Sequence, residues 1–243
     1  MSKVDCSRTM GVQVMPSMCD ENSLMSIPAM LDMFQDFAGT HAESVGIGAF
    51  ELERNGLFWI ISKLRLRINS RPLIHEMLEA TTWIQPAERV SCERDWALSK
   101  DGMQIAYVRS IWAALRRDNF RPGHMADFYP DSDFSIAPPD NKPFTRMGKN
   151  FDGAEPFGEY TIRSVDIDRG GHMNNVNYVR AMLGCFTCAQ LAEMDIKELD
   201  MQFILQCYEG ETIRFVKRPS EDGLMEVGAL NEDGKVCFMA AIK

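Results

Sequence analysis

Residues 166–180 read DIDRGGHMNNVNYVR. Asp168, with His172 four positions on, supplies the two residue types most often used for general acid–base work near neutral pH. Gly170 and Gly171 allow close backbone approach and positive φ. Asn174 and Asn175 stand directly ahead of an apolar run, where the first N–H groups of a helix have no internal acceptor and can hold an anion. Each of these residues also has a plainer use. Asp168 suits the first position of a turn, Asn175 is a good N-cap, and an isolated histidine is often a packed or solvated turn residue. The surrounding elements decide between the two readings.

Two helices are predicted. From Ser26 to about Val45 the apolar positions Ile27, Met30, Leu31, Phe34, Phe37, Ala38 and His41 fall on one face, with Ser26 as N-cap and Pro28 in the tolerated first turn. From Asn175 to about Leu191, Val176, Val179, Met182, Leu183, Phe186 and Ala189 repeat the rhythm, and Ala29-Met30-Leu31 matches Ala181-Met182-Leu183. Each helix is followed by four strand-like segments: 56–68, 79–85, 91–100 and 103–115, then 200–208, 211–218, 224–231 and 235–242. Asp101-Gly102 and Asp233-Gly234 are corresponding hairpin signals. At the same spacing Glu79 falls on Glu211, Trp83 on Phe215 and Leu98 on Leu230. The chain is an internal duplication.

Each copy is a short strand, one long helix and about four antiparallel strands. That is an α+β layer in which the sheet wraps the helix, and two copies make a tandem (double) hotdog with two antiparallel sheets. The expected organisation is an N-terminal hotdog over 1–118, a linker over 119–158 and a C-terminal hotdog over 159–243. The middle segment holds six of the eleven prolines, a linker composition, and part of it is expected to pack as a lid or edge. The GGHMNN stretch lies between strand YTIRSV (160–165) and the second helix. Its counterpart is CDENSLMS (19–26), which has an aspartate but neither the histidine nor the asparagine pair.

Composition narrows the classes. A net charge of −9 over 243 residues argues against non-specific nucleic-acid binding, which needs Lys and Arg against phosphate. Local basic groups (Arg65/Arg67/Arg71, Arg116/Arg117/Arg121, Lys217/Arg218) read first as solvated strand or turn faces. No apolar run is long enough to span a bilayer, and the first residues lack a secretory apolar core. Seven scattered cysteines fit a reducing cytoplasm, and Cys185-Phe-Thr-Cys188, with no second pair, is a poor zinc site.

The pattern D-I-D-x-x-x-H-M-N-N-V-N-Y, with PAMLDMFQDFAGTHAESVG, GLFWIISKLRLRI and SIWAALRRDNFRP, resembles the acyl-ACP thioesterases over nearly the whole chain. The resemblance implies hydrolysis of fatty acyl-ACP to free fatty acid, as part of fatty acid biosynthesis in the cytoplasm. It implies no metal and no organic cofactor, an acyl carrier protein as partner, and a monomer or homodimer. The family aspartate falls on Asp168 and its histidine on His172. The family asparagine falls on Gly170, and its catalytic glutamate on Gln206, just before Cys207. In that role Asp168 is the base or the direct nucleophile, and His172 polarises water or protonates the leaving thiolate. The N–H groups near Asn174 to Val176 bind the oxyanion, and Gln206 orients water without taking a proton. A strand glutamine is also an ordinary structural residue, and a Cys207 flanked by apolar strand positions is expected to be buried and inert. Two other functions stay open beside this one: an acyl-CoA thioesterase of the same fold, and a hotdog that binds acyl thioesters without cleaving them.

Overall fold

The computed structural model describes residues 4–220 and 222–243. The chain divides into two compact units, Met1–Lys142 and Pro143–Lys243. In the first, β1 (Ser7–Gln13) is followed by α1 (Ile27–Ser44), α2 (Ala49–Arg54), β2 (Leu57–Ile68), β3 (Met77–Ile84), β4 (Cys92–Lys100) and β5 (Met103–Arg116). These strands pair antiparallel in the order β1-β3-β4-β5-β2. In the second, β6 (Glu155–Thr161) precedes α3 (Asn175–Leu183), α4 (Cys188–Met194), β7 (Glu198–Phe203), β8 (Thr212–Pro219), β9 (Met225–Leu230) and β10 (Val236–Ile242). Their order, β6-β8-β9-β10-β7, is the same permutation. Both units are hotdogs, and the duplication read from sequence is carried strand for strand.

Helix α1 forms where its periodicity places it. Ser26 Oγ accepts from the Ala29 N–H at 3.2 Å, and the face Met30, Leu31, Phe34, Phe37, Ala38 and His41 is buried. Each fully buried large side chain contributes about 1.5–3 kcal/mol, so this face, more than intrinsic propensity, holds the helix in place. The second helix departs from expectation. It does not run to Leu191 but ends at Leu183, and α4 begins after Thr187. Thr187 and Gln190 form a capping box that restarts the helix. The matched Ala-Met-Leu triplets are also not equivalent. The N-caps Ser26 and Asn174 correspond, so Met30 falls on Tyr178, one helical turn before Met182. A slip of four residues keeps the same face toward the sheet, which is why the pattern could not expose it.

The hairpins differ too. Asp101 and Gly102 both have positive φ (51° and 77°) and close a two-residue turn. At Asp233-Gly234 only the glycine does, and Asn231 N–H donates to Lys235 O across a longer loop. Strand β7 stops at Phe203 instead of running to 208, because the Ile204 and Leu205 N–H groups both turn onto Cys237 O.

The proline-rich segment divides between the units. Residues up to Lys142 cross the outer face of the first sheet. Gln85 Nε2 donates to Ile136 O at 3.1 Å, Arg65 and Arg109 donate to Lys142 O, and Arg67 pairs with Asp140 at 3.1 Å. Arg65 is therefore buried and Arg67 half-buried, not a solvated basic face, and Arg71 is paired with Asp20. Residues from Pro143 strap the second unit. The Thr145 N–H and hydroxyl both donate to Asp200 Oδ2 at 2.6 Å. Arg218 pairs with Glu226 and lies 4.4 Å from the centre of the Phe151 ring. Phe151 covers Gly228, where a Cβ would come within 2.8 Å of the ring.

Beneath the first strap, Asp95 is fully buried. Gln85 Nε2 donates to its Oδ2 at 2.8 Å, and its Oδ1 has no partner among the described residues. Burial pushes its carboxyl from 3.8 up to about 7. Between those values the folded chain keeps a proton that the unfolded chain has lost, so Asp95 makes stability fall as pH rises through this window. Asp95→Asn, neutral throughout, should lose that contribution. Denaturant titrations at about pH 5 and about pH 8 should show a variant that gains on wild type by one to a few kcal/mol at the higher pH.

Candidate active site

The opening of each central helix is built by the same set of hydrogen bonds. A short 3-10 turn, Pro16–Met18 in the first unit and Ser164–Asp166 in the second, leads into a tight reversal. In the first, Asp20 N–H donates to Leu24 O, Ser23 N–H to Asp20 O, and Asn22 N–H to Asp20 Oδ1. In the second, Asp168 N–H donates to His172 O at 3.0 Å, Gly171 N–H to Asp168 O at 2.9 Å, and Gly170 N–H to Asp168 Oδ1 at 2.7 Å. Ser23 and Gly171 carry the same positive φ, 60° and 78°. The backbone of this corner is thus a requirement of the fold, and the aspartate side chain is part of it. Of the two glycines only Gly171 needs the left-handed region; Gly170 is not at positive φ.

The two corners differ in the side chains they carry. Where the first unit has Leu24, the second has His172. Asp20 is neutralised by Arg71, whereas no ion pair is recorded for Asp168 among the described residues. A Cβ on Gly170 would lie 2.9 Å from Asp168 Oδ1 and 2.7 Å from His172 Nε2, so both atoms surround one point in space. With no side chain at Gly170, carboxylate and imidazole both lean over the turn, whereas the matching position of the first unit, Asn22, carries a Cβ and keeps the same N–H bond to its aspartate. The His172 Nδ1 approaches Met173 O at 3.2 Å. A carbonyl only accepts, so Nδ1 carries the proton and Nε2 presents its lone pair on the Asp168 side.

The N-cap is Asn174, not Asn175. Asn174 Oδ1 accepts from Val176 N–H at 2.8 Å, and Asn174 N–H donates to Asp166 O. Two of the three N–H groups expected to be free are thereby occupied, which leaves the Asn175 N–H at the positive end of α3. Asp166, unnoticed in the sequence, anchors the approach: its buried carboxylate accepts from Arg163 N–H and Tyr160 OH, and its carbonyl accepts from Asn177 Nδ2. The doubled Asp-Ile-Asp spacing was the available signal.

Gln206 reaches the corner by backbone. Met173 N–H donates to Cys207 O at 2.9 Å. Tyr178, on the buried face of α3, accepts from Cys207 N–H at 3.1 Å and donates to Leu205 O. The segment carrying Gln206 is therefore clamped to the helix and to the residue after His172. The Gln206 side chain is exposed and accepts from Tyr208 OH, and among the described residues it makes no direct bond to Asp168 or His172. Cys207 is buried with its thiol against Cys237.

Known proteins bear on this geometry. The sequence models of the acyl-ACP thioesterase N-terminal domain and C-terminal domain match residues 7–131 and 151–238. The chain belongs to the acyl-ACP thioesterase family. Among curated members of that family, an oleoyl-acyl carrier protein thioesterase of Coriandrum sativum is 21% identical over 219 residues, covering 83% of this chain. An acyl-[acyl-carrier-protein] hydrolase of Cuphea viscosissima is 23% identical over 216 residues, covering 82%. This chain spans 59% and 52% of the length of those two relatives. Solved acyl-ACP thioesterase structures share the fold. One from Bacteroides thetaiotaomicron superposes with a TM-score of 0.80 at 22% identity, covering 100% of this chain and 99% of that one. A 12:0-ACP thioesterase from Umbellularia californica gives 0.82 at 16%, covering 100% and 98%. Among the described residues no helix is long and apolar enough to cross a membrane.

Two substitutions test the family site's construction. Gly170→Ala should leave stability within about 0.5 kcal/mol, since only side-chain ends must move. It should lower any turnover by about ten- to a hundredfold through displacement of Asp168 and His172. Tyr178→Phe leaves the Cys207 N–H without its acceptor and should cost about 1–3 kcal/mol in denaturant unfolding.

Proposed function

We propose that this protein hydrolyses the thioester of fatty acyl-ACP, releasing free fatty acid and holo-ACP, and that Asp168 and His172 carry the reaction. The observation that supports this most directly is the convergence of Asp168 Oδ1 and His172 Nε2 over Gly170, on a corner whose twin in the first unit has leucine and an arginine-bound aspartate. In this reading a water between the two groups loses a proton to the His172 Nε2 lone pair, and its oxygen attacks the acyl carbon. The Asn175 N–H at the start of α3 stabilises the oxyanion. The C–S bond then breaks, and the proton on Nε2 passes to the leaving thiolate. Asp168 holds the water and stabilises the imidazolium, while Gln206 supplies a hydrogen-bonding amide that cannot take a proton. None of the seven cysteines forms a disulfide among the described residues, consistent with a reducing compartment such as the cytoplasm.

Gln206 and Gly170, standing where the family motif has a glutamate and an asparagine, favour a second reading in which the corner binds acyl thioesters with little or no cleavage. Thiol release from acyl-ACP and acyl-CoA panels separates the cases. Turnover of acyl-ACP above acyl-CoA supports the proposal, preference for acyl-CoA points to the other hydrolase, and binding with no thiol release supports the non-catalytic reading. Asp168→Asn keeps the acceptor for Gly170 N–H, and so the corner, but removes the charge. It and His172→Gln should each lower kcat/KM by about 10²–10⁴ with the circular-dichroism melt unchanged. Wild-type kcat/KM in either would remove that residue from the mechanism.

A further inference from the structure

Arg94 is a buried cation with no anion hydrogen-bonded to it among the described residues, and Asp95, the next residue, acts on it only through space. It lies in β4 on the face that packs against α1, is 5% exposed, and forms no recorded ion pair among the described residues. Both of its hydrogen bonds leave from Nη1, to His41 Nδ1 at 2.9 Å and to Thr82 Oγ1 at 3.1 Å. The Nε–H and the two Nη2–H groups have no hydrogen-bond acceptor among the described residues. Those groups form the edge of a guanidinium that grips a carboxylate with two parallel bonds.

The titratable groups around it do not supply the missing charge. His41 donates from Nε2 to Asp5 O, so its Nδ1 is an uncharged acceptor, and burial together with the Arg94 charge holds the imidazole down at about 4. Cys92, two positions earlier on the same face, has its thiol pushed up to about 12 by burial, and burial raises the Tyr129 phenol as well. Asp95 follows Arg94 in an extended strand and projects from the opposite face, toward Gln85. An uncompensated buried charge is costly enough that proteins pair it or place it where a ligand pairs it.

We infer that Arg94 is the anchor of a binding site in the first unit for an aliphatic carboxylate, held side-on through Nε–H and Nη2–H. One cation matches one carboxylate, whereas a phosphate dianion would keep excess charge in this setting. The flanking cross-strand neighbours of Arg94, Ile84 and Ser110, are buried, and its contact on α1, His41, shares a buried helix face with Phe34, Phe37 and Ala38, surroundings that suit an alkyl chain. The carboxylate can belong to a free fatty acid or to the far end of an acyl chain that carries a second carboxyl group. This inference does not rest on the chemistry assigned to Asp168 and His172.

Isothermal titration of the full chain decides it with two ligand pairs. Dodecanoate is compared with dodecanol, and the N-hexyl monoamide of dodecanedioate, an amide that a thioesterase leaves intact, with the methyl ester of the same amide. Two charge-assisted bonds should make a carboxylate bind at least about tenfold tighter than its uncharged partner. Arg94→Gln should erase that ratio. Discrimination in the first pair assigns the site to free fatty acid, and in the second to a carboxyl-ended acyl chain. Equal affinities within both pairs, or a ratio that survives in Arg94→Gln, overturns the inference. Should Arg94→Gln not fold, the Arg94 Nε–H resonance of the wild-type protein is followed by nitrogen-15 NMR. A shift with dodecanoate or the carboxyl-ended amide, and not with their uncharged partners, supports the site, and no shift refutes it.

Discussion

A helix laid against a sheet begins with N–H groups that its own turns cannot satisfy, and the chain must reverse sharply to enter it. In this protein one aspartate builds the reversal. Its side chain accepts from the residue two positions on, its carbonyl accepts from the third, and its N–H closes the loop onto the fourth. A Ser or Asn cap then takes over at the first helical turn. Because this happens identically at Asp20 and Asp168, the corner is a structural necessity before it is anything else. Asp168 and His172 sit on a piece of backbone that folding has already made rigid.

That ordering explains how the site is held. A catalytic group must keep its place within a fraction of an ångström, and loops alone seldom provide that. Asp168 is fixed by its turn bonds and His172 by Met173 O. The segment bearing Gln206 is tied to α3 through Tyr178. The carboxyl of Asp166, satisfied by Tyr160 and Arg163, steadies the approach from β6. The straps do comparable work away from the site, covering outer-face charges such as Arg65 that would otherwise be solvated.

Most of this architecture was legible in the sequence because it follows from periodicity and turn chemistry. Alternation gave the strands, threefold and fourfold spacing gave α1, and repetition gave the paired hotdogs. Legibility failed where two solutions share a pattern. The Ala-Met-Leu match was one turn out of register because helices repeat their faces every four residues. The break between α3 and α4 was written in Thr187 and Gln190, but a continuing apolar rhythm concealed it. Gln206 fell outside its strand because two N–H groups compete for Cys237 O, a contact no local pattern encodes. Arg94 has the parity of the buried Trp96 and Leu98, yet a strand arginine reads as solvent-facing until its neighbours are placed.

The twinned corners have an evolutionary consequence. Since the reversal into the helix works equally well with leucine or histidine at its fourth position and with asparagine or glycine at its second, a duplicated gene can shed or acquire reactivity at one copy by a handful of codon changes while the scaffold stays whole. Such a chain carries the same backbone template twice, and side chains can be varied on one copy without disturbing the other.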